Sequence, residues 1–250
     1  MIDSEMMTTA IIAVLRFRGN YELARSFLQE EVFPHMLSKS RFNRRLHRVQ
    51  ELFLTLFRLL CETWKDLNSQ LIYVIDSYPI AYCDNICLSR LYKGEVWCGR
   101  QASKKHFFYG LKIHIMVTEK GQPVESFLTP GSYNDASAYR FYDFDLPQQA
   151  WITADKAYTD YDVEDAINET GMRMSPLQKN NSKRPVPPLI FYLQSTYRKI
   201  VETTGCLIQL LLPKPIHAIT AVGFELKLSL FILAASLNFL WQQLELFIER

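Results

Sequence analysis

The chain has 250 residues, 48% hydrophobic and 22% charged, enough apolar material for one globular domain with a modest appendage and far from a disordered or collagen-like composition. Its 28 basic and 26 acidic residues leave a net +2, so the whole chain is no polycation and any nucleic-acid surface must come from local segregation of charge. Five cysteines, an odd number in a chain large enough to fold without staples, predict free thiols in a reducing compartment, with the cytoplasm as the expected location.

No basic stretch precedes an apolar one at the start, where Met1 is followed by Ile2, Asp3, Ser4 and Glu5, so an export signal is not expected. Ser4 can cap a helix running to about Phe17, and Gly19-Asn20 breaks it before a second short helix through Leu28. Pro34 closes that unit and Ser38 or Ser40 caps a third helix, along which Phe42, Leu46, Val49, Phe53, Leu56 and Leu60 step by three and four as one apolar stripe. Between His35 and Gln50 the basic residues Lys39, Arg41, Arg44, Arg45 and Arg48 face no acid. Two short helices and a basic third resemble a helix-turn-helix arrangement for DNA, and a solvated basic helix face is the plainer alternative.

At Leu71 the texture changes to a nearly continuous β-branched run, a strand buried on both faces, stopped by Pro79 and carrying Asp76 at its C-terminal end. A second strand is expected over residues 107–118, a turn at Glu119-Lys120-Gly121, and a returning strand over residues 123–129. Asn134 or Asp135 caps a helix to about Tyr142; capping accounts for Asp135. Residues 150–154 form a short strand that delivers Asp155. A helix over residues 160–169, a fifth strand over 173–177 and a Pro- and Asn-rich loop over 179–188 follow. The next helix, from about Leu189, places Leu193, Tyr197, Ile200, Thr204 and Ile208 on its inner face, with Glu202 off that stripe and Arg198 one turn earlier. The most apolar segment, residues 228–240, holds Ser229, Ser236 and Asn238 and falls short of the roughly 20 residues a membrane span needs, so a buried helix is expected and no membrane association. The expected division is a helical segment over residues 1–68 and an α/β domain over 69–250.

Asp76 and Asp155 at strand ends and Glu202 on a later helix form a set of carboxylates from separate elements. Such a set, converging at a sheet edge, can hold two Mg²⁺ ions about 4 Å apart that clamp the attacking and leaving oxygens of an in-line phosphoryl displacement. Each acid taken alone also suits a turn, a cap or a solvated helix face. The zinc alternative, Cys83, Cys87 and Cys98 with His106, lacks the usual paired spacing. His114 reads as a packed core histidine, and Tyr92 and Trp97 as aromatics able to stack on bases or simply to sit near a loop.

The order of strand with Asp, hairpin, helix, strand with Asp, and helix with Glu resembles the RNase H-like core of the DDE transposases of bacterial insertion sequences. Five strings sharpen the resemblance toward the insertion sequence nine-eight-two group, in the broader set with types four and five. They are Tyr73-Val-Ile-Asp-Ser-Tyr-Pro-Ile80, Tyr109-Gly-Leu-Lys-Ile-His114, Thr129-Pro-Gly-Ser-Tyr-Asn-Asp135, Ala154-Asp-Lys-Ala-Tyr158 and Tyr197-Arg-Lys-Ile-Val-Glu-Thr203. The resemblance implies a mixed five-stranded sheet flanked by helices behind an N-terminal helical segment. It further implies Asp76, Asp155 and Glu202 as catalytic residues and ligands of two Mg²⁺ or Mn²⁺ ions, and Arg198 as a phosphate contact from the family's tyrosine-arginine-glutamate-lysine signature. This chain departs from that signature at Ser195, three before Arg198, and at Gln209, seven after Glu202. Its start close to the first helices also reads as an N-terminally shortened copy.

By the same resemblance, a phosphodiester at a transposon end is hydrolysed to free a 3′-OH, which then attacks target DNA. The expected partners are the terminal inverted repeats, target DNA and a second copy of the chain. Residues 89–120 carry seven basic residues against two acidic ones, and residues 170–201 carry six basic residues and no acid. Lys104, Lys105, Lys156, Lys179, Lys183 and Arg184 therefore join Arg41, Arg44, Arg45, Arg48 and Arg198 as candidate DNA contacts. Alternatives to a transposase are a structure-specific nuclease of the same fold, or an inactive shortened copy that only binds DNA.

Overall fold

Glu5 opens the first helix by accepting the Ile2 backbone N–H through Oε2 at 2.7 Å, so α1 (Asp3–Phe17) begins ahead of Ser4, the expected cap. In the computed structural model these N-terminal residues are described with the rest of the chain except residues 84–94, 102–105, 140–141, 180–181, 214–215, 217, 219 and 249–250. The Asn20 side chain caps α2 (Tyr21–Glu31), its Oδ1 accepting from the N–H groups of Glu22 at 3.1 Å and Leu23 at 3.2 Å. The single long helix expected from Ser38 is two, α3 (Lys39–Arg48) and α4 (Gln50–Leu67), because Val49 leaves the helical range (φ −92°, ψ 12°) while its side chain stays buried.

Met6, Ala10 and Val14 of α1, Phe42 and Leu46 of α3, Phe53 and Leu60 of α4 and Leu226, Leu230, Phe231, Leu233 and Ala234 of α8 (Ala221–Ile248) form one apolar cluster. Each helix contributes the three- and four-residue spacing that lines one face, and each fully buried Leu or Phe contributes roughly 1.5–3 kcal/mol. This cluster corrects the expected division. Residues Met1–Leu60 and Leu207–Arg250 make one compact unit and Cys61–Cys206 the other, since α8 buries its apolar face among the N-terminal helices. The apolar part of α8, Ala221–Gln242, is 22 residues long and by length and composition could cross a membrane. Phe224, Leu228, Leu230 and Ala234 are fully buried in the protein, which marks it as the core helix of this unit.

The second unit is built on a six-stranded mixed sheet, one strand more than expected, in the order β2-β3-β1-β5-β6 with β4 also on β3. β1 (Ile72–Cys83) runs antiparallel to β3 (His106–Thr118) and parallel to β5 (Trp151–Ala154), and β5 is parallel to β6 (Arg173–Met174). Backbone hydrogen bonds from Ser175 to Ile152 and from Leu177 to Ala154 carry the β6 alignment over the span expected for it. The additional strand, β2 (Cys98–Gln101), shares one edge of β3 with β4 (Pro123–Pro130): residues His106 to Tyr109 pair with β2 and Leu111 to Val117 with β4.

Pro79 does not end β1. Pairing with β5 stops at Ile75, so beyond that point β1 has a partner on one flank only, and a strand with an open flank tolerates a proline. His114 is buried as expected, stacked on Phe127 at 4.5 Å, with Tyr158 Oη 3.1 Å from Nδ1 and Thr129 Oγ1 3.0 Å from Nε2. Burial lowers its pKa to about 4, which keeps the ring neutral.

Two further helices, α5 (Asp135–Tyr139) and α6 (Tyr161–Glu169), lie between the strands, and α7 (Pro188–Leu211) follows the sheet. The inner face of α7 is turned from the expected stripe. Gln194, Val201, Thr204 and Ile208 are buried, whereas Leu193, Tyr197 and Ile200 are half-buried. Of the zinc alternative, Cys87 lies outside the described residues, and Cys61, Cys98 and Cys206 are free thiols. Tyr92 also lies outside them.

Candidate active site

The last pair in the parallel ladder of β1 and β5 is Ile75 with Ala154. Asp76 and Asp155 are the next residue on each strand, so the register alone sets the two carboxylates on neighbouring strands at the same level. Asp155 turns the chain out of β5 into a short 3₁₀ turn over Lys156–Tyr158, with the Tyr158 N–H donating to its carbonyl at 3.0 Å. Asp76 Oδ1 accepts the N–H of Ser77 at 2.8 Å.

Glu202 arrives from α7, and three contacts fix that helix against the sheet. Tyr78, two residues beyond Asp76 on the same strand, donates its hydroxyl to the Val201 carbonyl at 2.6 Å. Its ring lies where a side chain on Gly205 would be: a Cβ there would sit 1.9 Å from the ring's Cζ, so only glycine permits this approach. Thr204 Oγ1 donates to the carbonyl of Gly121, in the turn between β3 and β4, at 2.9 Å.

Arg198, one helical turn before Glu202, ties the acids together. Its Nη1 lies 3.1 Å from Asp155 Oδ1 and its Nε 3.0 Å from Glu202 Oε1. These are ion pairs without hydrogen-bonding angles: Asp155 Oδ1 and Arg198 Nε are buried atoms with no hydrogen-bond partner among the described residues. Burial pushes the Asp76 carboxyl up to about 7, with Asp155 and Asp135 adding to the rise against the opposing pull of the Ser77 N–H and Arg198. Among the described residues no three His, Cys, Asp or Glu side chains gather as a ready ligand set for one ion. The donors nonetheless suit a hard divalent cation, since all are carboxylate oxygens, one of them is buried without a hydrogen bond, and two stand on adjacent strands.

A carboxyl that holds its proton more tightly in the folded chain than in the unfolded one adds stability at low pH and loses it as the pH rises through its folded value. Asp76 therefore weakens the fold progressively from near its ordinary value of 3.8, with the loss complete at about pH 7, in the absence of metal. Asp76→Asn keeps an oxygen for the Ser77 N–H and cannot ionise. Thermal melts in EDTA should give this variant the higher Tm at pH 8, with the gap closing as the pH falls through 7 toward 5; equal Tm at pH 8 would contradict the buried charge.

Asp135, read from sequence as a cap, begins α5 but has side-chain partners on the strands. Its Oδ1 accepts from Ser77 Oγ at 2.7 Å and lies 3.2 Å from Lys112 Nζ, which also donates to the Tyr133 carbonyl at 2.7 Å. Ser77 thus links this pair to Asp76 through its own N–H. No spacing signal could have found a contact spanning 58 residues.

The basic candidates fall into three sets. Arg41, Arg44 and Arg48 are exposed at i, i+3 and i+7 on one face of α3, and Lys156, Lys179 and Lys183 are exposed in the sheet unit. Arg45 and Arg184 are already engaged, Arg45 with Asp3 at 2.7 Å and Arg184 with both oxygens of Asp165 at 2.7 and 2.8 Å while lying 4.5 Å over the Tyr161 ring. Lys104 and Lys105 lie outside the described residues.

A family model described as the transposase DDE domain matches residues 67–209. The sequence matches none of the curated proteins. Among solved structures, the piggyBac transposase in a synaptic complex with hairpin DNA aligns over 93% of this chain and 63% of its own, at 11% identity and a TM-score of 0.51. This chain therefore spans less than two thirds of that transposase, and the likeness is one of fold, in keeping with the expected RNase H-like sheet. The Mos1 transposase in a paired-end complex with its left transposon end aligns over 81% and 75% of the two chains, at 11% identity and a TM-score of 0.28.

Proposed function

The chain belongs to the transposase DDE domain family, and on that footing we propose that it is a DNA transposase of the bacterial insertion sequence nine-eight-two group, cleaving transposon ends and transferring the freed 3′-OH into target DNA. The observation that carries this reading is the register of β1 and β5, which sets Asp76 beside Asp155, together with Arg198 bridging Asp155 to Glu202. Asp76, Asp155 and Glu202 would hold two divalent ions, Mg²⁺ or Mn²⁺. Such ions supply a nucleophilic oxygen and stabilise charge on the attacking and leaving oxygens of an in-line displacement at phosphorus. The chain's own part is positional. Tyr78, Gly205 and Thr204 set the height of Glu202 against the strands, and Arg198 balances two of the three negative charges and offers a guanidinium edge to a phosphate.

The exposed basic face of α3 would grip the DNA backbone, and Lys156, Lys179 and Lys183 would add phosphate contacts in the sheet unit. Joining two ends calls for two copies of the chain on DNA. The test is incubation with labelled DNA from both flanks of the gene in Mg²⁺, Mn²⁺ or EDTA. Metal-dependent nicks at one defined position on each flank support the reading. Cutting of branched DNA without regard to the flanks would favour a structure-specific nuclease, and binding without nicks in either metal an inactive protein that only binds DNA.

Neutralising Arg41, Arg44 and Arg48 together should weaken binding to flank DNA. It should also flatten the plot of log affinity against log salt by about 0.9 for each phosphate that is no longer neutralised, hence roughly 2–3 in all. An unchanged slope in fluorescence anisotropy would assign α3 another role.

A further inference from the structure

In the antiparallel ladder of β1 and β3, Ser77 pairs with His114 and Pro79 with Lys112, so the side chains of Ser77, Lys112 and His114 share one face of the sheet. Asp76, one residue away, lies on the other face with Tyr78, which meets α7. The face opposite the carboxylates carries two chains of hydrogen bonds, and each ends at one of the two aspartates. In the first, Lys112 Nζ donates to the Tyr133 carbonyl at 2.7 Å and lies 3.2 Å from Asp135 Oδ1, the same oxygen accepts from Ser77 Oγ at 2.7 Å, and the Ser77 N–H donates to Asp76 Oδ1 at 2.8 Å. In the second, Thr129 Oγ1 lies 3.0 Å from His114 Nε2 and Tyr158 Oη 3.1 Å from Nδ1, while the Tyr158 N–H donates to the Asp155 carbonyl at 3.0 Å.

Both aspartates stand where the pairing of β1 with β5 has just stopped, at Ile75 and Ala154, so that ladder no longer holds either residue. The two chains of bonds supply the missing restraint. His114, Thr129 and Tyr158 are all buried, which keeps water from competing for their hydrogen bonds. A neutral imidazole donates from one nitrogen and accepts at the other, so the ring can join two hydroxyls where an apolar side chain would only fill space. Carboxylates that hold a metal owe their orientation to such outer partners, whose loss costs roughly ten- to a hundredfold in metal affinity. We propose that this face sets the two aspartates for metal binding: Asp135, braced by Lys112, positions Asp76 through Ser77, and His114 positions Asp155 through Tyr158. The inference rests on the metal-dependent reading above and names what holds its ligands in place.

The test removes one hydroxyl from each chain of bonds, by Ser77→Ala and Tyr158→Phe, in the full protein with flank duplex present. The free Mn²⁺ signal is followed by electron paramagnetic resonance well below the Tm of every variant, and the sites counted are those that Asp76→Ala removes. Each deletion should weaken Mn²⁺ binding roughly tenfold, and the double variant should bind it more weakly than either. Ser77→Thr, which keeps the hydroxyl, should bind Mn²⁺ as wild type does. Wild-type Mn²⁺ affinity in both deletions with only a lower Tm would overturn the proposal, because the two chains of bonds would then serve packing alone. So would Mn²⁺ binding that Asp76→Ala leaves intact. Weakened Mn²⁺ binding in both deletions of a protein that never nicks flank DNA would keep the positioning role and reject the transposition reading. Site-specific nicking with metal affinity and rate unmoved by either deletion would do the reverse.

Discussion

On the function proposed above, Asp155→Ala protein is expected to retain flank DNA at low salt and to cut it at least about a thousandfold more slowly than wild type. A bound divalent ion supplies several kcal/mol of charge stabilisation in a phosphoryl displacement, and each 1.36 kcal/mol lost is a factor of ten in rate. Asp155 is the acid through which both strands and α7 meet. It follows the last residue paired to β1 and faces Arg198 at 3.1 Å. Its removal would cost the proposed ions a ligand and release the arginine onto Glu202 alone. DNA retention survives because backbone binding depends on lysines and arginines spread over the surface. The same result is expected of Asp76→Ala and Glu202→Ala. Nicked product per unit time in Mg²⁺ and anisotropy at low salt measure the two halves of the expectation, with circular dichroism melts to confirm folding. Retained cutting in any one variant would remove that residue from the assignment.

Gly205→Ala is expected to lower both Tm and the cutting rate of the proposed activity, with the rate falling further than the loss of folded protein explains. The added Cβ would stand 1.9 Å from Cζ of Tyr78 and 2.3 Å from its hydroxyl, far inside any van der Waals contact. Tyr78 cannot swing aside without giving up its bond to the Val201 carbonyl, worth about 1 kcal/mol, so the strain moves α7. Overpacking of this kind costs roughly 1–3 kcal/mol in stability. Arg198 and Glu202 ride on the displaced helix, and a misplacement of about 1 Å in a reacting site can cost on the order of a hundredfold in rate. Tyr78→Ala in the same chain opens the space again, so the double variant should recover Tm relative to the sum of the single changes. Unchanged Tm and rate in Gly205→Ala would show that the helix is not held at this point.

Much of the sheet is legible along the chain because strand signals are local. The run Leu71-Ile-Tyr-Val-Ile75 and the turn at Glu119-Lys120-Gly121 mark β1 and the β3–β4 hairpin from composition alone. β2 is invisible by the same means, since Cys98-Gly-Arg-Gln101 has no alternation and is a strand only because the edge of β3 beyond Tyr109 needs a partner. Pro79 misplaces the end of β1 for a related reason. A proline forbids a central strand but not one whose neighbour has already ended, and the length of that neighbour is a tertiary fact.

Among the helices, apolar spacing identifies which segments are amphipathic but not what each face meets. The three- and four-residue steps from Phe42 to Leu60 are present as expected, yet only the joint packing with Leu226, Leu230 and Phe231 assigns α8 to the helical unit. For α7 the apolar stripe through Leu193 and Tyr197 misjudges the rotation, because the docked face is chosen by Gly205, Thr204 and the polar Gln194, which apolar periodicity cannot weigh.

The order of the candidate groups is readable along the chain: a strand with Asp76, a strand with Asp155, and a helix bearing Arg198 and Glu202 one turn apart. Strand and helix signals and the i, i+4 relation are read within a few residues. The pairing of Ile75 with Ala154, the approach of Tyr78 to α7 at Gly205 and the grip of Asp135 on Ser77 from 58 residues away come from packing across the fold. Register and close approach are set by which surfaces exclude water together, and that is a property of the folded whole rather than of any segment.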